Sequence, residues 1–360
     1  QAEFLDLDAG LRFAPGTEAR CALDYDLKEA EVRFIKTLPP VTGGFGRASI
    51  TGNAYTLVLE GGHVTAPDGG RVDAAGSVFR VPDITKIPAD AEVRLQTVSG
   101  LTAALSLLDQ EPFRFLSKAG RPVDLGEGTA RVVSELRFPL VAKIGVEDIT
   151  YAVTGVVEGF RSSVLVPGKT IEVPEMGVEV APGGMRLSGR GKLDGLGFDA
   201  VFTQPFAPPA GQPALIEAQV RLSDKSLRGL GIALPKGWLQ GEALAQVDMT
   251  VPKGAPVTLV LKSGLAGAAL DIPPLGWRKP AKTKADLLVE ARLGAQPEVT
   301  RLKLTAPDLR AEGSLTTTKG GGMDKLELTT LQAGDWLDAE AVLTGRGVGK
   351  TPAVAITGGS

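Results

Sequence analysis

The sequence predicts a mainly β chain, a strongly curved antiparallel sheet with one or two short helices, on three observations. The 360 residues include 46 glycines and 25 prolines, spread along the whole length, a spacing that long helices do not tolerate. Apolar and polar residues alternate with period two, which gives each strand one apolar and one solvated face, as antiparallel sheets commonly have. A glycine also recurs at the centre of short apolar stretches, the signature of a bend, a bulge or a close backbone approach; recurring bends curl a sheet.

Taken in order, the glycine pattern appears as "ITGNA" around Gly52, "AAGSV" around Gly76, "VTGVV" around Gly155, "LSGRG" around Gly189, "AEGSL" around Gly313 and "LTGRG" around Gly345. The alternation is clearest in "AEVRLQTVSG" through Val93 and Leu95, and in "LIEAQVRLSD", where Ile216, Ala218, Val220 and Leu222 face one way. It continues in "ALAQVDMTVP" through Val247, Met249 and Val251, in "APVTLVLKSG" through Val257, Leu259 and Leu261, and in "VTRLKLTAPD" through Leu302 and Leu304. Strands of this length span roughly 25–30 Å. Two places break the rhythm. "SGLTAALSLLDQEPFRFLSKAG" has a helix start at Thr102, apolar residues at Leu105 and Leu108, a stop or kink at Pro112 and a C-terminal glycine at Gly120, which reads as one short helix or two. "DKSLRGLGIALPKGWLQG" carries a helical turn near Ser226 to Leu230, then a Pro/Gly-rich connection.

Several function classes are excluded or weakened by composition. A hydrophobic content of 43% excludes a disordered chain, and a net charge of −3 gives no electrostatic reason to expect nucleic acid. With one histidine, His63, expected in a polar turn, and one cysteine, Cys21, neither a zinc site nor a nucleophile–histidine pair is expected. No metal, cofactor or catalytic residue is therefore assigned. "GRGVGKT", from Gly345 to Thr351, resembles a phosphate-binding loop. Its first glycine should stand at Thr344, however, and Pro352 follows at once, so the stretch reads as a copy of the strand signature. The uncharged run from Ala200 to Ile216 contains Pro205, Pro208, Pro209 and Pro213 and is too short to span a membrane; it reads as a linker or crossover. Gln1 opens the chain with no signal-like stretch after it, which reads as a piece of a longer protein. Arg278, Lys279, Lys282 and Lys284 in "GWRKPAKTKAD" read as a solvated hairpin loop, with contact to anionic headgroups as the alternative.

"VSGLTAALSLLDQEPFRFLSKAG", with "GEGTARVVSELRFPL" and "VEDITYAVTGVVEGF" after it, resembles the central region of the AsmA-like family, in particular its large YhdP-type members. So does "LDIPPLGWRKPAKTKADLLVEARL" with the following "LTAPDLRAEGSL". The resemblance covers roughly Ala91 to Gly345. Its most specific parts are Leu107-Leu108-Asp109 and Leu275-Gly276-Trp277 with Lys279-Pro280, which are structural landmarks and not catalytic signatures. It implies an elongated, repeating β-groove in the periplasm, tethered to the inner membrane by a segment not present here, that contributes to outer-membrane biogenesis. It also implies that phospholipid acyl chains slide along an apolar lining while their headgroups stay in water. On that basis the chain divides into β-groove segments at 1–88, 89–206 (with the short helix near 102–118) and 214–360, joined by a Pro-rich connection at 207–213.

The residues expected to line such a groove are Val93, Leu95, Ile216, Val220, Val247, Met249, Leu259, Leu261, Leu287, Val289, Leu302 and Leu304. Each would equally suit an ordinary sandwich core. The lead expectation is a non-enzymatic conduit for phospholipids between inner and outer membrane. The alternatives are an envelope scaffold that docks other proteins and a glycoside-cleaving enzyme with paired acids, for which "LGAQPEV" and "EGFRSS" offer carboxylates. No acid cluster accompanies Trp238, Trp277 and Trp336, which lie far apart in sequence.

Overall fold

The structure is a computed structural model. It describes residues 3–12, 20–33, 37–111, 113–206, 211–229, 232, 234–318, 322–347 and 352–359, with backbone alone for 3–7, 11, 12, 20, 21 and 146. Expectations resting on Pro112, Pro208, Pro209, Leu230 and Gly349 to Thr351 therefore lie outside the described residues. The chain is mainly β. Among the described residues, 21 strands belong to one antiparallel sheet and three short strands form a second. By contact it divides into two compact units, Gln1–Leu187 and Ser188–Ser360.

The first unit holds β1 (Glu3–Arg12), β2 (Arg20–Val32), β3 (Val41–Thr51), β4 (Ala54–Thr65), β5 (Arg71–Asp73), β6 (Ser77–Val81) and β7 (Asp90–Gly100). Helices α1 (Leu101–Leu108) and α2 (Phe115–Lys118) follow, and then β8 (Glu127–Pro139), β9 (Thr150–Ser162) and β10 (Ile171–Ala181). Each strand pairs with the next, except that β4 pairs with both β5 and β6, and both of these pair with β7. The division between units falls within β11 (Gly184–Leu193).

The second unit holds β12 (Leu196–Pro205), β13 (Ala214–Leu222), α3 (Asp224–Gly229), β14 (Leu239–Gly241), β15 (Ala243–Val251), β16 (Val257–Ser263), β17 (Ala268–Ile272) and β18 (Trp277–Lys279). It continues with β19 (Asp286–Leu293), β20 (Glu298–Ala306), β21 (Leu309–Thr317), β22 (Met323–Ala333), β23 (Leu337–Thr344) and β24 (Ala353–Gly359). The large sheet runs β12, β13, β15, β16, β19 and then β20 to β24 in order. Strands β14, β17 and β18 leave it to form the three-stranded insert.

Bulges interrupt every ladder from β19–β20 to β23–β24, and each adds local twist and bend. Gly313 sits at one of them: a Cβ there would stand 2.0 Å from the Glu327 carbonyl oxygen. Gly155, inside β9, approaches the Arg131 carbonyl in the same way, at 2.5 Å. These two glycines mark close backbone approach, as the repeated pattern predicts. Gly52 and Gly76 do not: both have positive φ, 61° and 85°, and lie in turns flanking strands rather than inside them. Gly345 lies just past β23, its N–H donating to the Asp324 carbonyl at 2.7 Å, and it too marks a close backbone approach, since a Cβ there would stand 1.9 Å from the Met323 carbonyl oxygen.

Other expectations are corrected. His63 lies inside β4, paired with Thr42 and Asp73, not in a polar turn. The uncharged run is not a linker or crossover throughout, because Ala200–Pro205 belongs to β12 and Ala214–Ile216 to β13, which pair as antiparallel neighbours. The stretch from Thr102 that was expected as one short helix or two is two, as that reading allowed, the first starting at Leu101, and Gly120 takes the left-handed φ of 65° after α2. Asp109 fastens the two helices together, its carboxylate accepting from the N–H groups of Leu116 (3.0 Å) and Ser117 (2.7 Å) and from the Ser117 hydroxyl. Those bonds, the hydroxyl's first, hold its pKa below the usual aspartate value. The helical turn near Ser226 is α3, which starts at Asp224.

Candidate functional site

Directly paired residues of an antiparallel ladder present their side chains on one face, so the register shows which side chains lie together. In the second unit one row runs Phe202, Ile216, Met249, Leu259 and Ala291 across β12 to β19. The adjacent row runs Ala200, Ala218, Val247, Leu261, Val289, Leu302, Gly313, Leu328, Ala341 and Ile356 across all ten strands. Val220 continues the same face beside Phe198 and Ala245, and Leu287 pairs with Leu304, which pairs with Ala311. Ile216, Val220, Val247, Met249, Leu259, Leu261, Leu287, Val289, Leu302 and Leu304 therefore share one face. Val93 and Leu95 occupy the first unit, on the apolar face of β7.

In the first unit the corresponding row is Tyr25, Ala48, Leu57, Phe79, Val93, Leu136 and Tyr151. Leu23, Ile50, Tyr55 and Val81 run beside it. The Tyr25 and Tyr55 hydroxyls lie 3.2 Å apart in hydrogen-bond contact, and the Tyr55 ring packs edge-on to Phe79. Burial first, and then the hydrogen bond to Tyr25, push the Tyr55 phenol well above the usual tyrosine pKa.

The alternate positions are charged. Arg80, Glu92 and Arg137 stand directly opposite one another on β6, β7 and β8, with the Glu92 carboxylate 3.5 Å from Arg80 and 2.5 Å from Arg137. In the second unit Glu312 is held between Lys303 (2.9 Å) and Arg310 (3.0 Å), whose hydrogen bonds lower its pKa. These pairs are largely solvated and contribute little stability each. Their effect is to fix which face meets water.

Coverage of the apolar face is uneven. In the second unit the insert packs Leu239, Leu270, Ile272 and Trp277 against one margin, where Ala243, Leu287, Leu304, Ala306 and Leu309 lie. Leu227 of α3 covers Leu196, Val220 and Leu222. Met249, Leu259 and Leu261 pack against Val220, Ala245 and Val247 of their own sheet. In the first unit α1 plays the covering part, with Ala103 seated on Ala66 and Val72, and Ser106 donating to the Asp68 carboxylate at 3.2 Å.

The deepest positions on these faces are mostly alanines, Ala48, Ala91, Ala130, Ala243, Ala245, Ala333 and Ala341, and Val220 and Val247 of the expected lining are buried too, as are Leu309 and Leu331. Ile216, Met249, Leu259, Leu261, Val289 and Leu302 stay half-buried. A closed sandwich core fully buries its large aliphatic side chains. Among the described residues, the only large side chain less than 2% exposed is instead a lysine, Lys279.

Lys279 was expected in a solvated loop, and the structure corrects this. The turn is present, Thr283 N–H donating to the Pro280 carbonyl at 3.1 Å, but the ammonium is buried inside it. Its Nζ donates to the carbonyls of Ala268 (2.6 Å), Thr283 (2.7 Å), Leu265 (2.9 Å) and Pro280 (3.3 Å). Desolvation pushes its pKa below the ordinary lysine value. Arg278 points outward and pairs with Asp271 at 2.9 Å. The Trp277 indole N–H donates to the Pro307 carbonyl at 2.8 Å. Trp277, Lys279 and Pro280 of the resemblance are thus the anchor of the insert.

The sequence did not show that two of the three tryptophans line one hollow. Trp277 and the 65% exposed Trp336 line one open hollow of about 680 Å³ together with Arg278, Asp308 and Asp335. Their separation in sequence hid this, since only the β17–β18 hairpin brings Trp277 to the β22–β23 turn. The acids proposed for catalysis do not converge on it: Glu158 pairs with Arg131 at 3.3 Å in the first unit, and Glu298 opens β20 in the second. No group of three or more His, Cys, Asp or Glu that could hold a metal occurs among the described residues, and none of their helices is long and apolar enough to cross a membrane. The chain matches no protein-family profile, no curated protein and no solved structure.

Proposed function

We propose that this chain is a non-enzymatic carrier of phospholipid acyl chains, a segment of a periplasmic conduit between the inner and outer membranes, with the apolar sheet face of the second unit as its lining. The observation that carries this reading is the pattern of burial: rows of aliphatic side chains in register across successive strands, half-buried, with no second full sheet among the described residues to close over them. An apolar face of that kind needs an occupant. Acyl chains suit it, because each methylene removed from water contributes roughly 0.8 kcal/mol without any directional bond. A chain can therefore shift along Met249, Leu259, Leu261, Val289 and Leu302 at little cost. Flexible residues such as Met249 adapt to irregular occupants.

The test is lipid extraction and native mass spectrometry of the chain purified from a bacterial envelope. Phospholipid should co-purify with the unaltered chain and be lost in Leu259→Glu and Leu302→Glu. Thermal melts control for unfolding, and the milder Met249→Gln gives a folded variant with reduced lipid. A stable, lipid-free chain would overturn the proposal in favour of an envelope scaffold, and so would lipid retained in all three variants.

A further inference from the structure

Three segments of the second unit meet at the hollow that holds Trp336. The insert supplies β18, the β20–β21 turn supplies Asp308, and the β22–β23 turn supplies Asp335 and Trp336. Backbone carbonyls fasten them together: Gly334 N–H donates to that of Asp308 at 2.9 Å, and the Trp277 indole N–H to that of Pro307 at 2.8 Å. The space of about 680 Å³ falls within the roughly 300–1,000 Å³ usual for small-ligand clefts. Its walls are therefore held in place by the fold itself, which lowers the ordering cost of binding.

The two walls differ in charge. On the turn side the Asp308 and Asp335 carboxylates have no hydrogen-bond or ion-pair partner among the described residues. The exposed Trp336 lies against the Gly334 backbone, where a Cβ would stand 3.4 Å from its ring. Unpaired carboxylates beside an open indole hold an alkylammonium ion, by Coulombic attraction and by cation–π contact. On the insert side Arg278 lines the hollow, and the exposed Lys282 and Lys284 flank Thr283, which lines it too. Asp271 offsets Arg278 at 2.9 Å, while neither of these lysines has a hydrogen-bond or ion-pair partner among the described residues. Lys279 takes no part, because four carbonyls enclose its ammonium. A guanidinium and two ammonium groups on long stems suit a phosphate.

We propose that this hollow binds a phosphoethanolamine-type zwitterion, the headgroup of a lipid, with its ammonium at Asp308, Asp335 and Trp336 and its phosphate at Arg278, Lys282 and Lys284. Leu275 and Trp277 of the hollow pack in one cluster with Leu304 and Leu309, so a headgroup seated here leaves its acyl chains at the margin of the aliphatic rows. The choice of a lipid as the source of the zwitterion rests on the acyl-carrier reading, whereas the binding chemistry of the hollow does not.

Titration of the full chain with glycerophosphoethanolamine, read by calorimetry and tryptophan fluorescence, tests it. Glycerophosphoglycerol, which lacks the ammonium, and an N-acetylglucosamine disaccharide serve as comparison probes. The zwitterion should bind saturably and in preference to both. Trp336→Ala should weaken its binding about fivefold. Asp308→Asn with Asp335→Asn should weaken it about tenfold and abolish the preference over glycerophosphoglycerol. Asparagine accepts the left-handed φ of 58° at Asp308, and all three positions are exposed turn residues, so the melting temperature should hold. Leu259→Glu should bind the probe like the unaltered chain. A chain that binds the probe yet co-purifies with no phospholipid therefore keeps the zwitterion site and loses both the carrier reading and the lipid source. Absence of saturable binding overturns the proposal, as do equal binding of glycerophosphoglycerol and binding untouched by Trp336→Ala. Tighter binding of the disaccharide would overturn it in favour of a saccharide platform.

Discussion

In the first unit the apolar rows carry Tyr25, Tyr55, Phe79 and Tyr151, whereas in the second they carry Ile216, Met249, Leu259, Leu261, Val289 and Leu302. All three tyrosines of the chain lie in the first unit and all three tryptophans in the second. The tryptophans do not line the aliphatic rows: Trp238 stands just before β14 with its carbonyl accepting from Asp271 N–H, Trp277 anchors the insert and Trp336 is exposed beside a hollow. The covering elements differ in the same sense. The first unit uses α1, fastened to α2 by Asp109, while the second uses α3 and a three-stranded insert fastened by Lys279. One strand pattern thus supports two linings, a stiff aromatic one pinned by a hydroxyl pair and an aliphatic one with many rotamers. On the proposed reading the second is the surface along which acyl chains move.

The largest effect is expected from Lys279→Met. It leaves several buried carbonyls unsatisfied, which costs about 3 kcal/mol. Because the tryptophans lie only in the second unit, urea titration followed by their fluorescence reports that unit alone. The transition should move to lower urea while the tyrosine signal of the first unit stays in place. Joint movement of both signals would break the comparison by making the units one cooperative body.

Next come matched glycines. Gly313→Ala places a Cβ 2.0 Å from the Glu327 carbonyl oxygen and Gly155→Ala places one 2.5 Å from that of Arg131, so each should lose about 2 kcal/mol, Gly313→Ala the more. Gly52→Ala meets no atom within 4 Å and is opposed only by its φ of 61°, a cost of about 1 kcal/mol. Thermal unfolding of the three variants should reproduce that order.

The smallest effect is Tyr55→Phe, which removes one hydrogen bond worth about 1 kcal/mol or less. It also sharpens the contrast through pH. The raised Tyr55 pKa means that the folded state keeps its proton when the unfolded chain has lost it, so this contribution is present below the ordinary tyrosine value of 10.0 and is lost as pH rises beyond it. The lowered Lys279 pKa acts in the opposite sense: the unfolded chain binds the extra proton, so the second unit gains stability as pH rises toward 10.5. Urea midpoints of the two units, read by tyrosine and tryptophan signals, should diverge at alkaline pH, and Tyr55→Phe should remove the first unit's share.

Much of this was legible in the sequence. The alternation in Val247, Met249, Leu259, Leu261, Val289, Leu302 and Leu304 placed those residues on one face, because a strand sends successive side chains to opposite sides whatever surrounds it. The helix-breaking glycines and prolines likewise required short elements. What the alternation did not carry was what covers each face. His63 looked like turn chemistry and lies in a strand, and Lys279 looked solvated and is the most buried large side chain, since the carbonyls of Leu265, Ala268, Pro280 and Thr283 close around its ammonium.

The sequence by itself determined the strand class, the short helices and the partition of side chains between two faces, all of which follow from dihedral preferences and period-two geometry acting within a few residues. Only the tertiary structure decided that alanines fill the deepest positions, that bulges line up from β19 to β24, that the insert shields one margin of the aliphatic rows, and that Trp277 and Trp336 line one hollow. Burial depends on which distant segments arrive beside a residue, and that is set by register and chain path and not by the residue's own neighbours.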